Sequence, residues 1–193
     1  RAVIELLDVL DGEALRARAV NTIVNRDGRL SGSNTDVAAI RSALAGVGVE
    51  PRGATVLVLG GGGSARAAAV AMEGAHLTFA VRQTRDAELP GTVLPWGDPS
   101  LPTLSRSADL LVNATPLGRK GEMPLRPAAL PRRGAVIDLV YVSGGTPLVR
   151  KARTLGLRTA DGWGILLAQG AMSFEAWTGR PAPIGAMRDT LQP

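Results

Sequence analysis

Residues Val56 to Met72 read VLVLGGGGSARAAAVAM: an apolar β-type run, four glycines, then an alanine-rich helical run. A flexible linker would not be preceded directly by TVLVLG and followed at once by a helix-forming stretch. Gly60, Gly62 and Ala65 instead fit G-x-G-x-x-[GA], in the strand–turn–helix setting that this otherwise weak motif needs. There the first glycine permits a tight turn and the second lets backbone approach a pyrophosphate. The small third residue lets the helix pack close to the sheet. The helix start adds unpaired N–H groups and the positive end of its dipole. The junction therefore predicts a dinucleotide site, with Gly60, Gly61, Gly62, Gly63, Ser64 and Ala65 around its phosphates.

The surrounding rhythm supports a parallel sheet. Ala54–Leu59, Leu77–Arg82, Asp109–Ala114 and Ala135–Tyr141 are apolar runs, and Val93–Trp96 and Arg158–Ala160 are weaker ones. Helical patterns over 64–73 and 146–155 alternate with them. Such alternation implies α/β architecture: a Rossmann-type parallel sheet buried on both faces. Upstream, Arg1–Leu10 predicts a short amphipathic helix, with Ala2, Val3, Leu6, Leu7 and Leu10 on one side. A helical turn over 12–18, a strand over 19–25 and a turn at Arg26-Asp27-Gly28 follow. A helix capped by Asn34 or Thr35 comes next. Pro51-Arg52-Gly53 marks a boundary, giving segments 1–52, 53–162 and 163–193, the last opening on a helix from Trp163 to about Thr178. The chain begins on Arg1 inside a helical pattern, so the expectation is that a further segment lies upstream.

NAD sites place an acid at the end of the second strand to hold the ribose hydroxyls. Here that strand ends TFAVRQTR and offers Arg82, with Arg85 beyond it. A guanidinium binds a 2′-phosphate bidentately, whereas an acid repels it, so NADP is favoured. A solvated surface arginine is the plain alternative at both positions. Arg66, in the first helical turn, either covers the phosphates or faces solvent.

Composition narrows the remaining classes. No apolar run approaches the ~20 residues of a membrane span. Cysteine is absent, which removes thiolate nucleophiles and cysteine metal sites and fits a cytoplasmic protein. The net charge of +5 comes from 20 scattered arginines and two lysines, with aromatics at only 3%. That pattern suits a field attracting a small anionic ligand better than a nucleic-acid face. His76, the single histidine, reads as structural, and no His/Asp/Glu spacing suggests a metal.

AVNTIV, SGSNTD, VLGGGGSARA, NATPLG, DLVY followed by TPL, and DGWGILLAQGAMSFEAWTG resemble, in order and spacing, the shikimate dehydrogenase family. The resemblance covers nearly the whole chain. It implies a substrate domain facing an NADP domain across a cleft, in a monomer or homodimer. Residues 1–52 would be the remnant of a smaller α/β substrate-binding domain, to which helices from 163–193 return. Asn21 and Asp36 would bind shikimate hydroxyls, with Tyr141 and Gln169 completing the substrate site. Asp36 would work beside a catalytic lysine. Gly60 to Ala65, Arg82, Asn113, Ala114, Thr115, Leu139 and Gly162 would line NADP.

Each residue also carries a plainer reading. Asp36 in a first helical turn stabilises the dipole, and the helix end should keep it ionised. Asn21 is a turn residue whose amide both donates and accepts. Tyr141 is a strand-end core candidate, whereas Gln169 is oddly polar for its mid-helix surroundings.

Departures from the family matter too. Its lysine lies in a P-x-K-type motif just before the helical pattern that starts here, and Lys120 and Lys151 sit elsewhere. The serines that grip the substrate carboxylate would also lie upstream. Arg119, Ser143 and Ile165 replace the usual Met, Pro and Met. The activity implied is reversible NADPH-linked reduction of 3-dehydroshikimate to shikimate, with the 193 residues alone inactive. A quinate-type enzyme and a non-catalytic NADP sensor are alternatives. Asn21, Asp36 and Gln169 argue against the sensor, which needs no substrate ligands.

Overall fold

The computed structural model describes residues 3–85 and 88–191. It contains a six-stranded sheet and a small three-stranded one. In chain order, the first part comprises β1 (Val9–Leu10), α1 (Gly12–Ala17), β2 (Thr22–Arg26), β3 (Arg29–Ser33) and α2 (Thr35–Gly46). Then come β4 (Thr55–Leu59), α3 (Gly63–Ala71), β5 (His76–Val81), β6 (Thr92–Pro95), α4 (Leu101–Ser107) and β7 (Leu110–Asn113). The last part holds β8 (Ala135–Asp138), α5 (Pro147–Thr154), β9 (Arg158–Ala160), α6 (Gly162–Thr178) and α7 (Ile184–Leu191).

The large sheet is parallel throughout, in the order β6-β5-β4-β7-β8-β9. The chain winds outward from β4 through β5 to β6, returns to β7 and winds the other way. This reversal beside β4 creates a crevice at the carboxyl ends of the strands, where ligands bind in open α/β sheets.

Side chains alternate across each strand, and the core divides accordingly. Val56, Val58, Phe79, Val112 and Ile137 face α2, α3 and Ile165 of α6. Leu57, Leu59, Ala80, Leu111 and Val136 face α4, α5 and the loop around Leu125 and Leu130. Both faces are covered, as the apolar runs predict. Helix α3 gets close because it is built from buried alanines: Ala65, Ala67 and Ala68 are fully buried. Helix α2, from the first 52 residues, shares this core through Val37, Ile40 and Leu44.

The N-terminal helix predicted over Arg1–Leu10 does not form. Within residues 3–10, Ile4–Leu6 makes a 3₁₀ turn and Val9–Leu10 pairs with β3; Arg1 and Ala2 lie outside the described residues. Backbone pairing explains the difference. Asp8 and Leu30 exchange contacts, with Asp8 N–H donating to the Leu30 carbonyl and the Asp8 carboxylate accepting from Leu30 N–H. Leu7 closes over Gly32, where a Cβ would lie 2.5 Å from its Cδ1. Strand β3 itself was not expected, and β2 runs later than the predicted strand. The two form a hairpin through Asp27 and Gly28, both at positive φ, at the predicted turn. Helix α4 was not expected either, whereas α7 falls within the expected C-terminal helices. Asn34 is the cap of α2, its side chain accepting from Asp36 N–H.

Ile40 is fully buried where α2 meets the sheet face shared with α3. Ile40→Ala should lower unfolding free energy by ~2–5 kcal/mol in urea titration. A loss below ~1 kcal/mol would place α2 outside the core.

Candidate active site

Strand β4 ends at Leu59, and the chain turns at Gly60 with φ +111°. A Cβ there would lie 2.8 Å from the Ala114 carbonyl oxygen and 3.2 Å from Thr115 Cγ2. Only glycine lets the first turn and the loop after β7 touch across the crevice. Gly61 is pressed against Val81 in the same way, at 2.9 Å. Gly62, the residue capping α3, is different: nothing lies within 4 Å of its Cβ position. No side chain caps this helix end, which leaves the first N–H groups of α3 without a capping acceptor. An uncapped helix start beneath an open glycine fits a pyrophosphate. Ser64 is exposed beside it.

Arg66 is half-buried against the glycine turn. Its Nε donates to the Ala17 carbonyl (3.1 Å) and its Nη1 to the Gly61 carbonyl (3.3 Å), tying the end of α1 to the glycine turn. Arg82 and Arg85 are exposed beyond β5, and among the described residues neither pairs with a carboxylate. They stand on the side of the crevice away from β7, where the adenosine half of a dinucleotide falls.

On the other side, Ala114, Thr115 and Leu139 are half-buried at the ends of β7 and β8. Asn113, expected to line the cofactor, is fully buried and bonded within the loop. Its Nδ2 donates to the Leu117 carbonyl (2.9 Å) and its Oδ1 accepts from Thr115 Oγ1 (2.7 Å). It shapes the loop rather than presenting a free amide. Gly162 is likewise buried behind the surface, with 2.5–2.6 Å between a Cβ and the Val140 and Tyr141 backbone. It lets α6 begin against that backbone.

The predicted substrate residues come partly together. Asn21 Nδ2 donates to Asp36 Oδ1 (3.0 Å), and Asn21 Oδ1 accepts from Thr35 N–H (3.0 Å). The Thr35 and Thr22 hydroxyls also reach Asn21 Oδ1, at 3.2 and 3.1 Å. Gln169 approaches Thr35 Oγ1 only weakly, at 3.4 Å, and donates to the Leu166 carbonyl. Behind them Ser173 bridges β2, α2 and α6: its Oγ lies 2.6 Å from Thr22 Oγ1, 3.2 Å from Thr35 Oγ1 and donates to the Gln169 carbonyl. This network fixes the Asn21 amide with oxygen inward and nitrogen toward Asp36. One amide hydrogen stays available.

Tyr141 stands apart from the cluster. It is 41% exposed, tilted against Trp163 at 5.7 Å, with the Arg119 guanidinium 5.5 Å from its ring centre. The residues missed from sequence are Thr22, Thr35 and Ser173. Ser173 lies four after Gln169, hence on the same helical face, and that spacing was the available signal.

Burial pushes the Asp36 carboxyl above its ordinary value, and the Asn21 hydrogen bond opposes the shift. Desolvation therefore decides the direction of the shift over the hydrogen bond. Among the described residues no cation pairs with Asp36; Lys120 lies in an exposed loop and Lys151 on α5. No group of three His, Cys, Asp or Glu side chains suited to a metal occurs among the described residues. No helix there is long and apolar enough to cross a membrane.

A carboxyl whose native pKa is raised costs stability as pH rises through the window above its ordinary value of 3.8. Relative to the parent, Asp36→Asn should therefore gain thermal stability at neutral pH, with the advantage shrinking toward pH 3.8. Parallel melting curves from acid to neutral pH check this. A difference that grows on acidification would contradict the assignment.

The comparisons with known proteins agree with this geometry. Residues 162–192 match the model of the shikimate 5′-dehydrogenase C-terminal domain. The NADP(+) shikimate dehydrogenase of Geobacter sp. strain M21 is 38% identical over 208 residues, covering 98% of this chain and 72% of that relative. The crystal structure of shikimate 5-dehydrogenase from Thermus thermophilus in complex with NADP(H) and shikimate superposes with TM-score 0.82 at 33% identity. It covers 98% of this chain and 74% of that one. The ligand-free 5-ketofructose reductase of Gluconobacter sp. strain CHM43 has TM-score 0.79 at 32% identity, with 98% and 74% covered. On sequence and fold together, the chain belongs to the shikimate dehydrogenase family.

Proposed function

We propose that this chain carries the cofactor site and part of the substrate site for the reversible NADPH-linked reduction of 3-dehydroshikimate to shikimate. One observation carries the reading beyond family membership. The uncapped glycine turn opens α3 and Asp36 of the Asn21–Asp36 pair opens α2, and these two helices pack side by side on one sheet face. A dinucleotide cradle and a polyol-binding pair thus share one rigid support. The proposed division has a substrate-binding part in residues 1–52, an NADP-binding part in 53–162 and C-terminal helices in 163–193.

The pyrophosphate would rest on Gly60 to Ala65, with the 2′-phosphate at Arg82. Ala114, Thr115 and Leu139 would flank the nicotinamide, supported from behind by Asn113 and Gly162. Bound NADPH supplies a hydride to the carbonyl carbon and, in reverse, NADP accepts it. Asn21 donates its remaining amide hydrogen to a substrate hydroxyl, Asp36 accepts from one, and Gln169 and Tyr141 close the site. The hydroxyl proton must move with the hydride, which calls for a positioned acid/base. The family resemblance gives that task to a lysine beside Asp36, and neither Lys120 nor Lys151 stands there. The enzyme is proposed to work in the cytoplasm, as a monomer or homodimer.

The 5-ketofructose reductase neighbour favours one second reading, reduction of a different polyhydroxy ketone or acid. Assays with shikimate, quinate and 5-ketofructose decide between the two. Preference for shikimate supports the first reading, and preference for either other compound supports the second.

Replacing Arg82 with Asp should weaken NADP far more than NAD in a binding titration, because it removes a cation and adds like-charge repulsion. Equal losses would show that Arg82 does not read the phosphate. In turnover assays, the 193 residues alone should fall ~10²–10⁴-fold or more below a version extended by a family N-terminal segment carrying the lysine. Asp36→Ala should then undo the gain. Near-normal turnover by the 193 residues would refute the lysine requirement.

A further inference from the structure

We propose that Asp138 is the positioning residue of the nicotinamide end of the cofactor site, one carboxylate holding the two loops that would flank the ring. The inference rests on the NADP-binding reading above. Asp138 ends β8 and is fully buried. Its Oδ1 accepts from Asn113 Nδ2 (2.9 Å) and from Val140 N–H (3.0 Å), and its Oδ2 accepts from Thr146 Oγ1 (2.6 Å). These donors belong to three segments: the end of β7, the backbone leaving β8, and the cap of α5. Thr146 is fully committed, since its Oγ1 also accepts from Val149 N–H (3.2 Å).

Asn113 relays the constraint outward. Its Oδ1 accepts from Thr115 N–H (3.2 Å) and Thr115 Oγ1, and that hydroxyl in turn accepts from Leu117 N–H (3.1 Å). Gly118 closes the loop against Thr146, where a Cβ would lie 3.2 Å from Thr146 Cγ2 and 3.9 Å from Asp138 Oδ2. All of these groups lie at the carboxyl ends of β7 and β8. In a sheet whose glycine turn follows β4, the half of a dinucleotide beyond the pyrophosphate falls there. Every contact that Asp138 makes is with a donor, which suits an ionised carboxylate, and burial works against that state. A buried acid in this setting is costly unless it organises something. What it organises is the relative placement of residues 114–117 and 139–140. The adenosine side, at Arg82, is not tied to it.

The test compares NADPH with 2′-phospho-ADP-ribose, which keeps the adenosine, 2′-phosphate and pyrophosphate but lacks nicotinamide. Both are titrated calorimetrically into the 193-residue protein, Asp138→Asn, Asp138→Ala and Thr146→Val, and the nicotinamide fluorescence of bound NADPH is recorded. Losing one buried charge-assisted bond should weaken NADPH by about 10-fold and diminish the fluorescence change on binding. Affinity for 2′-phospho-ADP-ribose should stay within about 2-fold. Asp138→Ala should be affected most. Thr146→Val removes a single donor and keeps the test open if the alanine variant does not fold. Equal losses for both ligands, or no loss for either, would overturn the positioning role. A parent protein that binds neither ligand would instead overturn the NADP reading, and this inference with it.

Discussion

The reversal of strand order beside β4 is the constraint on which everything else depends. Strand β4 is central, paired on both edges and buried on both faces, with Val56 to Leu59 at most 1% exposed. Winding outward and back leaves the carboxyl end of this strand flanked by two diverging loops. Gly60 brings those loops into contact, and the alanines of α3 bring its helix down to the sheet. The result is an anion-ready helix start beside Gly62, whose Cβ position is open. The positive charge of the chain adds a field of the right sign for a phosphorylated cofactor and an acidic substrate.

The second half of the site is built differently, from small polar side chains that satisfy one another. Thr22, Thr35 and Ser173 are buried hydroxyls whose partners come from three different elements. Such a network is worth keeping only when fully paired. Paired, it aims the Asn21 amide at Asp36 and joins α6, from the end of the chain, to β2 and α2, from its beginning. Asp36 is held where burial opposes its charge and the Asn21 amide offsets part of that cost. The two halves meet through Arg66, which reaches from α3 to the α1 carbonyl of Ala17 and to the glycine turn.

Much of this was legible in the sequence because it rests on local signals. The apolar runs of the parallel sheet, the glycine turn and the cap at Asn34 each declare themselves within a few residues. The N-terminal part did not. Leu6, Leu7 and Leu10 suit a helical stripe, but the pairing partner of β1 lies some twenty residues away, and β3 is the polar run RLSGS. Its strand character comes from its neighbours. The polar cluster was half legible. Asn21, Asp36 and Gln169 stood out as polar residues in odd places; Ser173 could have been found from its helical spacing to Gln169, whereas Thr22 became meaningful only once three elements were packed together. Asn113 and Gly162 show the converse, since motif membership marked them while their burial and packing are visible only in the fold.

Amide chemical-shift mapping on the ¹⁵N-labelled protein tests the central claim most directly. Added NADP should perturb Gly60 to Ala65, Arg82, Ala114, Thr115 and Leu139. Shikimate added next should perturb Asn21, Asp36 and Gln169. Perturbations confined to the amino ends of the strands, around Gly48, Arg52 and Arg133, would contradict a cofactor crevice at the carboxyl ends of β4 and β7.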